Sequence, residues 1–503
     1  MNLYQYKNLS RYCDKILVSK TSTSVTKSIP WLHVLNAHPT TQEKYRGLYS
    51  GVKKRGYVSV FFSAVRFFKN LLSGFWSAKY FSSHPTIKQT DFLILSHLIS
   101  SNHIGGNEDF YYGDLGFELN KNNISTQILL MDHIGVNPKK TVSSWSNKMV
   151  PRLMLPNRLF LISEFLLLYS AVKEAISLYK ASFFEENKIL SDIYKMASLE
   201  AISFETISAL RFARQFEKLV YLLQPKAILI TMEGHAFERL AFHAARKINA
   251  KVQCFGYQHA ILFPHQHAVK RALGDTYDPD IIFTAGNQTI NVLRKGYQGY
   301  NVNVLNIGTH RYSCPKKIFD LKKPRAELSC LILPDGNISE CLYLCQFAYD
   351  AAVNTPEINF RIRLHPLSSI KELISLDWNF NSLPKNLSFS TVSDIQNDFK
   401  LSKWALYRGS GSAIHAVMAG CRPIYVRSTD SINIDPLYEV KSGREVVDKT
   451  TDLEAIFHND LLMSEKTFYR ELESLFTYCK EYFRPPNFDA LLEHLNKNDG
   501  ENR

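Results

Sequence analysis

A turn of glycine and serine residues near position 410 has the composition of a binding site for an anionic, phosphate-bearing group. Its glycines let a ligand approach the backbone closely, and its serines offer hydroxyl donors and a helix cap. The next residues, Ala413–Ala419, predict a helix whose amino terminus favours anions. A capped helix in any α/β protein has the same pattern, so the turn alone does not decide its role. The four residues of the turn are Gly409, Ser410, Gly411 and Ser412.

A histidine follows a predicted strand shortly before this turn. Residues Asn359–Leu364 have the apolar pattern of a strand that ends at His365. Pro366 restricts the preceding residue to an extended conformation, and an imidazole held in this way can donate to a phosphate oxygen. A structural histidine at a strand end is the alternative. Asp335 and Gly336, which follow another predicted strand, complete the candidate donor site.

An acidic residue occupies a similar position in the first half of the chain. Glu233 comes almost directly after the predicted strand Lys226–Thr231 and precedes Gly234 and His235. Its carboxylate could act as a general base or as a nucleophile, or only complement the dipole of the following helix. A neighbouring set is expected to face an acceptor or a sugar, namely Gly234, His235, Tyr257, Gln258 and His259 together with the Gly105–Gly106 loop.

Metal chemistry is not predicted. His259, His265 and His267 lack a nearby carboxylate or cysteine to complete a zinc site. The sequence Asp278-Pro279-Asp280 spells a metal-binding motif of some sugar transferases, but its place just before a strand favours a turn. The eight cysteines have no paired spacing, which predicts reduced thiols in a cytoplasm.

Alternating strands and helices from about residue 86 predict an α/β fold with two doubly wound, Rossmann-like units facing a cleft. A polar hinge at 312–327 separates them. The predicted organisation is a basic aromatic extension (1–85), a first domain (86–312) with a helical insertion at about 150–223, and a second domain (325–495). Ligands bind such sheets at the carboxyl ends of their strands, where the candidate residues lie.

The positive charge is concentrated at the amino terminus. Residues 1–85 contain 13 Lys and Arg against two acidic residues, a net charge of +11, within a whole-chain charge of +13. With the aromatic run Val58–Trp76, this favours attraction to an anionic membrane surface over nucleic acid, although an aromatic helix packed on the main body fits equally. Leu159–Val172 is too short to span a bilayer and predicts a buried helix. No secretory signal pattern is present at the amino terminus.

The ordered set Glu233-Gly234, His365-Pro366 and Ser410-Gly411-Ser412 resembles the motifs of bacterial CMP-sugar glycosyltransferases with the GT-B fold. This group includes sialyltransferases, polysialyltransferases and the Kdo transferases of capsules and lipopolysaccharide. The Tyr257-Gln258-His259 loop is similar to Gln-His loops of the Kdo type. Sialyltransferases usually have two adjacent acidic residues before the glycine, whereas Met232 precedes Glu233 here, which leaves the choice between inversion and retention open.

The resemblance implies a cytoplasmic glycosyltransferase, peripheral at the inner face of the membrane. It would move an acidic sugar, first of all Kdo, from CMP to a glycan or glycolipid acceptor, without a metal or other cofactor. His365, Ser410 and Ser412 would bind the phosphate, and Glu233 with His365 would carry catalysis. The alternatives are an NDP-sugar transferase or epimerase of the same fold, and a non-catalytic module that binds a glycan or a partner enzyme.

Overall fold

The structure, a computed structural model, describes residues 1–35, 44–45, 47–48, 81–82, 88–145, 148–156, 159–310, 328–366, 368–375, 383–429 and 431–501. The aromatic run at 58–76 and the hinge predicted at 312–327 lie outside these residues. Two α/β units are present, each built on a parallel sheet, which confirms the predicted fold class.

The first unit contains an eight-stranded sheet, whose second strand is buried along its whole length because helices cover both faces. Its strands are β1 (Phe81–Ser82), β2 (Phe92–Leu98), β3 (Thr126–Asp132), β4 (Arg152–Met154), β5 (Ala227–Thr231), β6 (Gln253–Gln258), β7 (Ile281–Thr284) and β8 (Asn303–Asn306). Their order in space is β1-β4-β3-β2-β5-β6-β7-β8, and all neighbours are parallel except β1 and β4.

The second unit repeats this design with six parallel strands. They are β9 (Ser329–Leu333), β10 (Asn359–Ile362), β11 (Leu387–Phe389), β12 (Trp404–Tyr407), β13 (Arg422–Val426) and β14 (Glu445–Val447), in the order β11-β10-β9-β12-β13-β14. In both sheets the winding direction reverses beside the first parallel strand, between β2 and β5 and between β9 and β12. Such switch points open a crevice at the carboxyl ends of the strands.

Helices pack on both faces of each sheet. Leu93 joins Phe216 on one face of the first sheet, while Ile94 joins Trp145 on the other. The helices are α1 (Leu3–Leu17), α2 (Ser24–Lys27), α3 (Asn102–Gly105), α4 (Leu115–Lys121), α5 (Pro138–Ser143), α6 (Leu161–Phe184), α7 (Lys188–Ala201), α8 (Phe204–Leu223), α9 (Ala236–Ile248), α10 (Gln288–Gly296), α11 (Ile338–Asn354), α12 (Ile370–Ser375), α13 (Ile395–Lys400), α14 (Ser412–Met418), α15 (Thr451–Leu462), α16 (Glu465–Tyr482) and α17 (Asp489–Glu501).

The first 34 residues of the predicted extension pack into the first unit. A capping box between Asn2 and Gln5 begins α1, whose buried side chains join a core with α7. Asp14 then pairs with His267 at 2.7 Å and with Arg271 at 3.1 Å, in the segment between β6 and β7. The ion pairs of Asp14 therefore hold the segment that follows His259 against the amino-terminal helix.

The end of the chain returns to the first unit after completing the second. Arg484 donates its backbone N–H to Ala285 O at 2.9 Å, and Leu491 of α17 is buried against the first sheet. This return holds the two units together through α16 and α17. Residues 484–495, which the sequence assigned to the second domain, pack on the first.

One helix differs from its predicted environment. The sequence predicts that Leu159–Val172 is buried, but α6 exposes much of its apolar surface, including 75% of Ile162 and 68% of Tyr169. Three helices, α6, α7 and α8, occupy most of residues 161–223. In the described part of the chain, no helix combines the length and apolar character needed to cross a membrane.

Candidate functional site

Glu233 lies in a tight turn between β5 and α9, at the switch point of the first sheet. The carboxylate of Glu238 organises this turn by accepting the backbone N–H groups of Glu233 at 3.0 Å and of Gly234 and His235 at 2.8 Å. The side chain of Glu238 is fully buried. It occupies the third position of α9, where an acidic residue commonly binds the N–H groups that precede a helix. Glu238 was not among the predicted site residues, although its position three residues after His235 is typical of a residue that caps a helix.

The carboxylate of Glu233 points to two histidines. Its Oε1 lies 3.2 Å from His259 Nε2, and its Oε2 lies 3.8 Å from His235 Nε2. Burial by itself would raise the pKa of Glu233, but the adjacent His235 and the charge of His259 lower it to about 2. About a third of the side chain, 35%, stays exposed. Glu233 is therefore an ionised and accessible carboxylate at neutral pH.

A second pair of histidines lies behind this cluster, at the ends of β2 and β3. His97 Nδ1 is 2.9 Å from His133 Nε2, and His97 Nε2 is 2.8 Å from the hydroxyl of Thr231. Burial, together with the neighbouring histidine charges, lowers the pKa of His97 to about 3. His97 is therefore a neutral, buried hydrogen-bonding group beside Glu233, and the sequence analysis did not identify it.

The last two residues of β6 and the histidine that follows them are buried. Tyr257 is 2% exposed and donates its hydroxyl to Gly308 O at 2.8 Å, while Gln258 is 1% exposed and donates to Ala260 O. His259 packs beneath the edge of the Tyr111 ring at 4.6 Å. Of the three residues expected to face a sugar here, His259 contacts Glu233, and the other two support its position.

The serine-glycine turn lies at the switch point of the second sheet, directly after β12. Gly409 has a φ of +67°, and a Cβ there would lie 3.0 Å from Asp335 Oδ2. The Asp335 carboxylate, at the end of β9, therefore packs on this turn. Ser410 is 7% exposed and its hydroxyl accepts the N–H of Ser412 at 3.4 Å, while Ser412 begins α14.

His365 joins the same group from β10. A Cβ at Gly336 would lie 2.8 Å from His365 Nδ1, so the imidazole packs against the backbone of that glycine. Burial lowers the pKa of His365, and the charge of Asp335 partly opposes this effect. Pro366 is exposed beyond it. The structure thus brings His365, Asp335, Gly336 and the turn at 409–412 together at the carboxyl edge of the second sheet.

The loop that follows His259 brings the two groups of candidate residues together by contacts with the second unit. Ile261, two residues after His259, packs on Gly411 so closely that a Cβ there would lie 2.2 Å from Ile261 Cδ1. The neighbouring Leu262 N–H donates to the hydroxyl of Tyr482 in the second unit at 2.9 Å. The loop that positions His259 against Glu233 therefore also forms the boundary of the serine-glycine turn.

The acidic pair at 278–280 has a structural role. Asp278 is 3% exposed and binds Arg239, which is fully buried, and it also accepts the N–H of Gly274 at 2.8 Å. Asp280 binds Arg246 at 2.7 Å. Both carboxylates thus connect the turn before β7 to α9, in agreement with the predicted turn. Within the described ranges, no three His, Cys, Asp or Glu residues are grouped as a metal site would require.

The low pKa of Glu233 predicts a pH-dependent contribution to stability. Because the folded pKa of about 2 is below the ordinary value of 4.5, ionised Glu233 stabilises the fold fully above pH 4.5, and this contribution is lost as the pH falls towards 2. We expect Glu233→Gln to lower the free energy of unfolding, measured by urea denaturation, more at pH 6 than at pH 3. An equal effect at both pH values would contradict the electrostatic account, and Glu118→Gln, a surface carboxylate paired with Lys121, is the control.

These observations define a class of fold, namely two Rossmann-like units whose switch-point loops meet. MurG of Acinetobacter baumannii is similar with a TM-score of 0.45 and 10% identity, over 81% of this chain and 99% of that one. UDP-GlcNAc 2-epimerase from Neisseria meningitidis, bound to UDP-GlcNAc, has a TM-score of 0.44 and 12% identity, over 77% and 94%.

The glycotransferase of kitacinnamycin is similar at a TM-score of 0.43 and 10% identity, over 78% of this chain and 96% of that one. No protein-family model and no curated protein matches the sequence. At these TM-scores and identities the likeness decides neither the activity, the donor nor the sugar.

Proposed function

We propose that the protein is a glycosyltransferase that moves an acidic sugar, with Kdo as the first candidate, from CMP to a glycan or glycolipid acceptor. The contact between Ile261 and Gly411 is the observation that carries this proposal. It joins the loop beside Glu233 to the turn that has phosphate-binding composition. A sugar held between these two groups would have its phosphate on the second unit and its anomeric carbon towards the first.

On the donor side, the residues have complementary tasks. His365 and the hydroxyls of Ser410 and Ser412 would donate to the phosphate, whose charge grows as the bond to the sugar breaks. The Asp335 carboxylate would repel a phosphate. We therefore assign it a different role, which is to accept hydrogen bonds from the hydroxyl groups of the nucleotide. The donors for the leaving group come from the protein, and the proposal requires no metal.

On the acceptor side, Glu233 is the proposed catalytic group. In an inverting reaction the acceptor oxygen would attack the anomeric carbon, the bond to the phosphate would break, and the acceptor proton would pass to the Glu233 and His259 pair. In a retaining reaction the Glu233 carboxylate would displace CMP from the anomeric carbon and form a glycosyl-enzyme; the acceptor oxygen would then displace Glu233 and pass its proton to the Glu233 and His259 pair. The ionised state of Glu233 suits both roles, because both begin with a free carboxylate.

Nucleotide binding tests the donor. We expect CMP to raise the melting temperature of the protein, because a ligand at a hundredfold excess over its Kd stabilises the folded state by about 2.7 kcal/mol. The His365→Ala variant should lose most of this shift, since it removes a phosphate donor. His458→Ala, which changes an exposed histidine of α15 in the same unit, is the matched control and should respond like wild type.

Two results would overturn the CMP proposal. Stabilisation by UDP and not by CMP would favour the NDP-sugar transferase or epimerase. The absence of a shift with either nucleotide would favour the non-catalytic binding module.

A further inference from the structure

Helix α6 presents an apolar stripe to the outside along its whole length. Its 24 residues make it about 36 Å long. Twelve of its residues are exposed, at spacings of three and four, and these form what we call the α6 stripe. Nine are apolar or aromatic: Ile162, Phe165, Leu166, Tyr169, Val172, Ile176, Tyr179, Phe183 and Phe184. The other three are Lys173, Ser177 and Lys180.

The orientation of this helix is fixed by buried polar contacts on its opposite face. Glu164 forms two hydrogen bonds to Arg211 of α8, at 2.7 and 3.0 Å, and both side chains are buried. Glu174 accepts a hydrogen bond from Thr26 of α2. The helix therefore directs its carboxylates inward and its apolar side outward, the reverse of a helix that packs on a core and faces water. Such an exposed surface marks an interaction site.

A groove extends the stripe towards α8. It has a volume of about 470 Å³, and Phe160, Leu166 and Tyr221 contribute apolar surface to it. Lys218 lies over the Phe160 ring at 5.3 Å. The acidic residue in the lining, Glu217, is paired with Lys247 at 2.7 Å and with Arg214 at 3.3 Å. The groove thus continues the stripe as an apolar surface with a cationic edge.

We propose that the α6 stripe and this groove lie against an anionic membrane surface. Aromatic and aliphatic side chains would enter the boundary between headgroups and acyl chains, and Lys173 and Lys180 would contact anionic headgroups. The stripe carries cations and no carboxylate. A partner that complements the charge of Lys173 and Lys180 must therefore be anionic. An anionic lipid surface supplies such charge over the full length of the helix.

Charge also argues against two other occupants. A second copy of the protein packed stripe to stripe would bring lysines together without a carboxylate to neutralise them. Residues 49–80 of this chain contain six Lys and Arg and no acidic residue, so they would add positive charge to the stripe. Their own aromatic and basic composition suits the same anionic partner. The inference is independent of the donor nucleotide.

Vesicle sedimentation with the full chain tests the surface. We expect wild type to bind vesicles of phosphatidylcholine with 30% phosphatidylglycerol, and to bind pure phosphatidylcholine much more weakly. Replacing Tyr169, Ile176 and Phe183 together by Glu should weaken binding about a hundredfold, because apolar contacts are lost and negative charge is added. Removing both lysines, with Lys173→Gln and Lys180→Gln, should weaken it about tenfold.

The matched control places the same three negative charges elsewhere. Tyr300→Glu, Val353→Glu and Leu462→Glu change apolar side chains that are 49%, 57% and 74% exposed outside α6. This variant should bind vesicles nearly as wild type does, and melting temperatures report whether both triple variants are folded. Equal binding by the stripe variant and wild type would overturn the proposal. So would a wild-type dimer in solution that the stripe substitutions dissociate, because the occupant would then be a second copy.

The fluorescence of an environment-sensitive dye tests membrane contact with only one residue of the stripe changed. Seven of the eight cysteines are buried, and Cys314 is replaced by Ser in this experiment. A dye on Val172→Cys should become brighter and shift to the blue with the anionic vesicles, whereas a dye on Val353→Cys should not. An unchanged spectrum at position 172 while the protein is vesicle-bound would assign membrane contact to another segment and refute the role of α6.

Discussion

Glu233→Gln is expected to lower the rate of sugar transfer by about 10³-fold while the protein stays folded. The amide keeps the shape of the side chain and removes the charge that His259 and His235 stabilise. It can neither accept the acceptor proton nor attack the anomeric carbon. The measurement is the release of CMP from CMP-Kdo, with an extract of bacterial membrane glycolipids as the acceptor.

Binding and chemistry can be separated in the same variant. The rise in melting temperature with CMP should be retained in Glu233→Gln, because the proposed phosphate donors lie on the second unit. The Glu118→Gln variant, which changes a surface carboxylate of the first unit, should keep wild-type turnover. Turnover by Glu233→Gln within threefold of wild type would remove Glu233 from the proposed mechanism. Loss of the CMP response would show that the substitution acts through the fold.

Much of the fold follows from local patterns in the sequence. The predicted strand Lys226–Thr231 is observed as Ala227–Thr231, and the helix predicted at Ala413–Ala419 is observed as Ser412–Met418. Buried parallel strands need continuous apolar runs and their helices have a 3.6-residue period, so both leave a strong local signal. The candidate residues were found because they directly follow such strands.

The residues that were missed act through contacts between distant parts of the chain. His97, His133 and Glu233 meet because β2, β3 and β5 are neighbours in the sheet, and nothing in their spacing of 36 and 100 residues indicates this. The contact of Ile261 with Gly411 likewise depends on how the two units pack. The apolar residues of α6 predicted a buried helix, which is wrong for much of its surface, because the sequence does not show which face of a helix lies outside the core.

Gly234→Ala is expected to cost both stability and activity, because a side chain at this position has no room. Gly234 has a φ of +92°, and a Cβ would lie 2.5 Å from the backbone carbon of Ala268. The left-handed conformation costs a residue with a Cβ about 1–2 kcal/mol, and the overlap adds about 1–3 kcal/mol. Relief of the overlap would move the turn that holds Glu233, so transfer should fall as well.

The chain contains a matched control that separates these two costs. Gly274 has nearly the same conformation, with a φ of +97°, but a Cβ at this position would have no atom within 4 Å. Gly274→Ala should therefore show only the conformational cost and retain turnover. Chemical denaturation gives the free energy of unfolding of both variants, and the difference between them measures the close approach of the Glu233 turn to Ala268. Equal losses in both variants would mean that this packing does not constrain the turn, and the position of Glu233 would then depend on the Glu238 carboxylate alone.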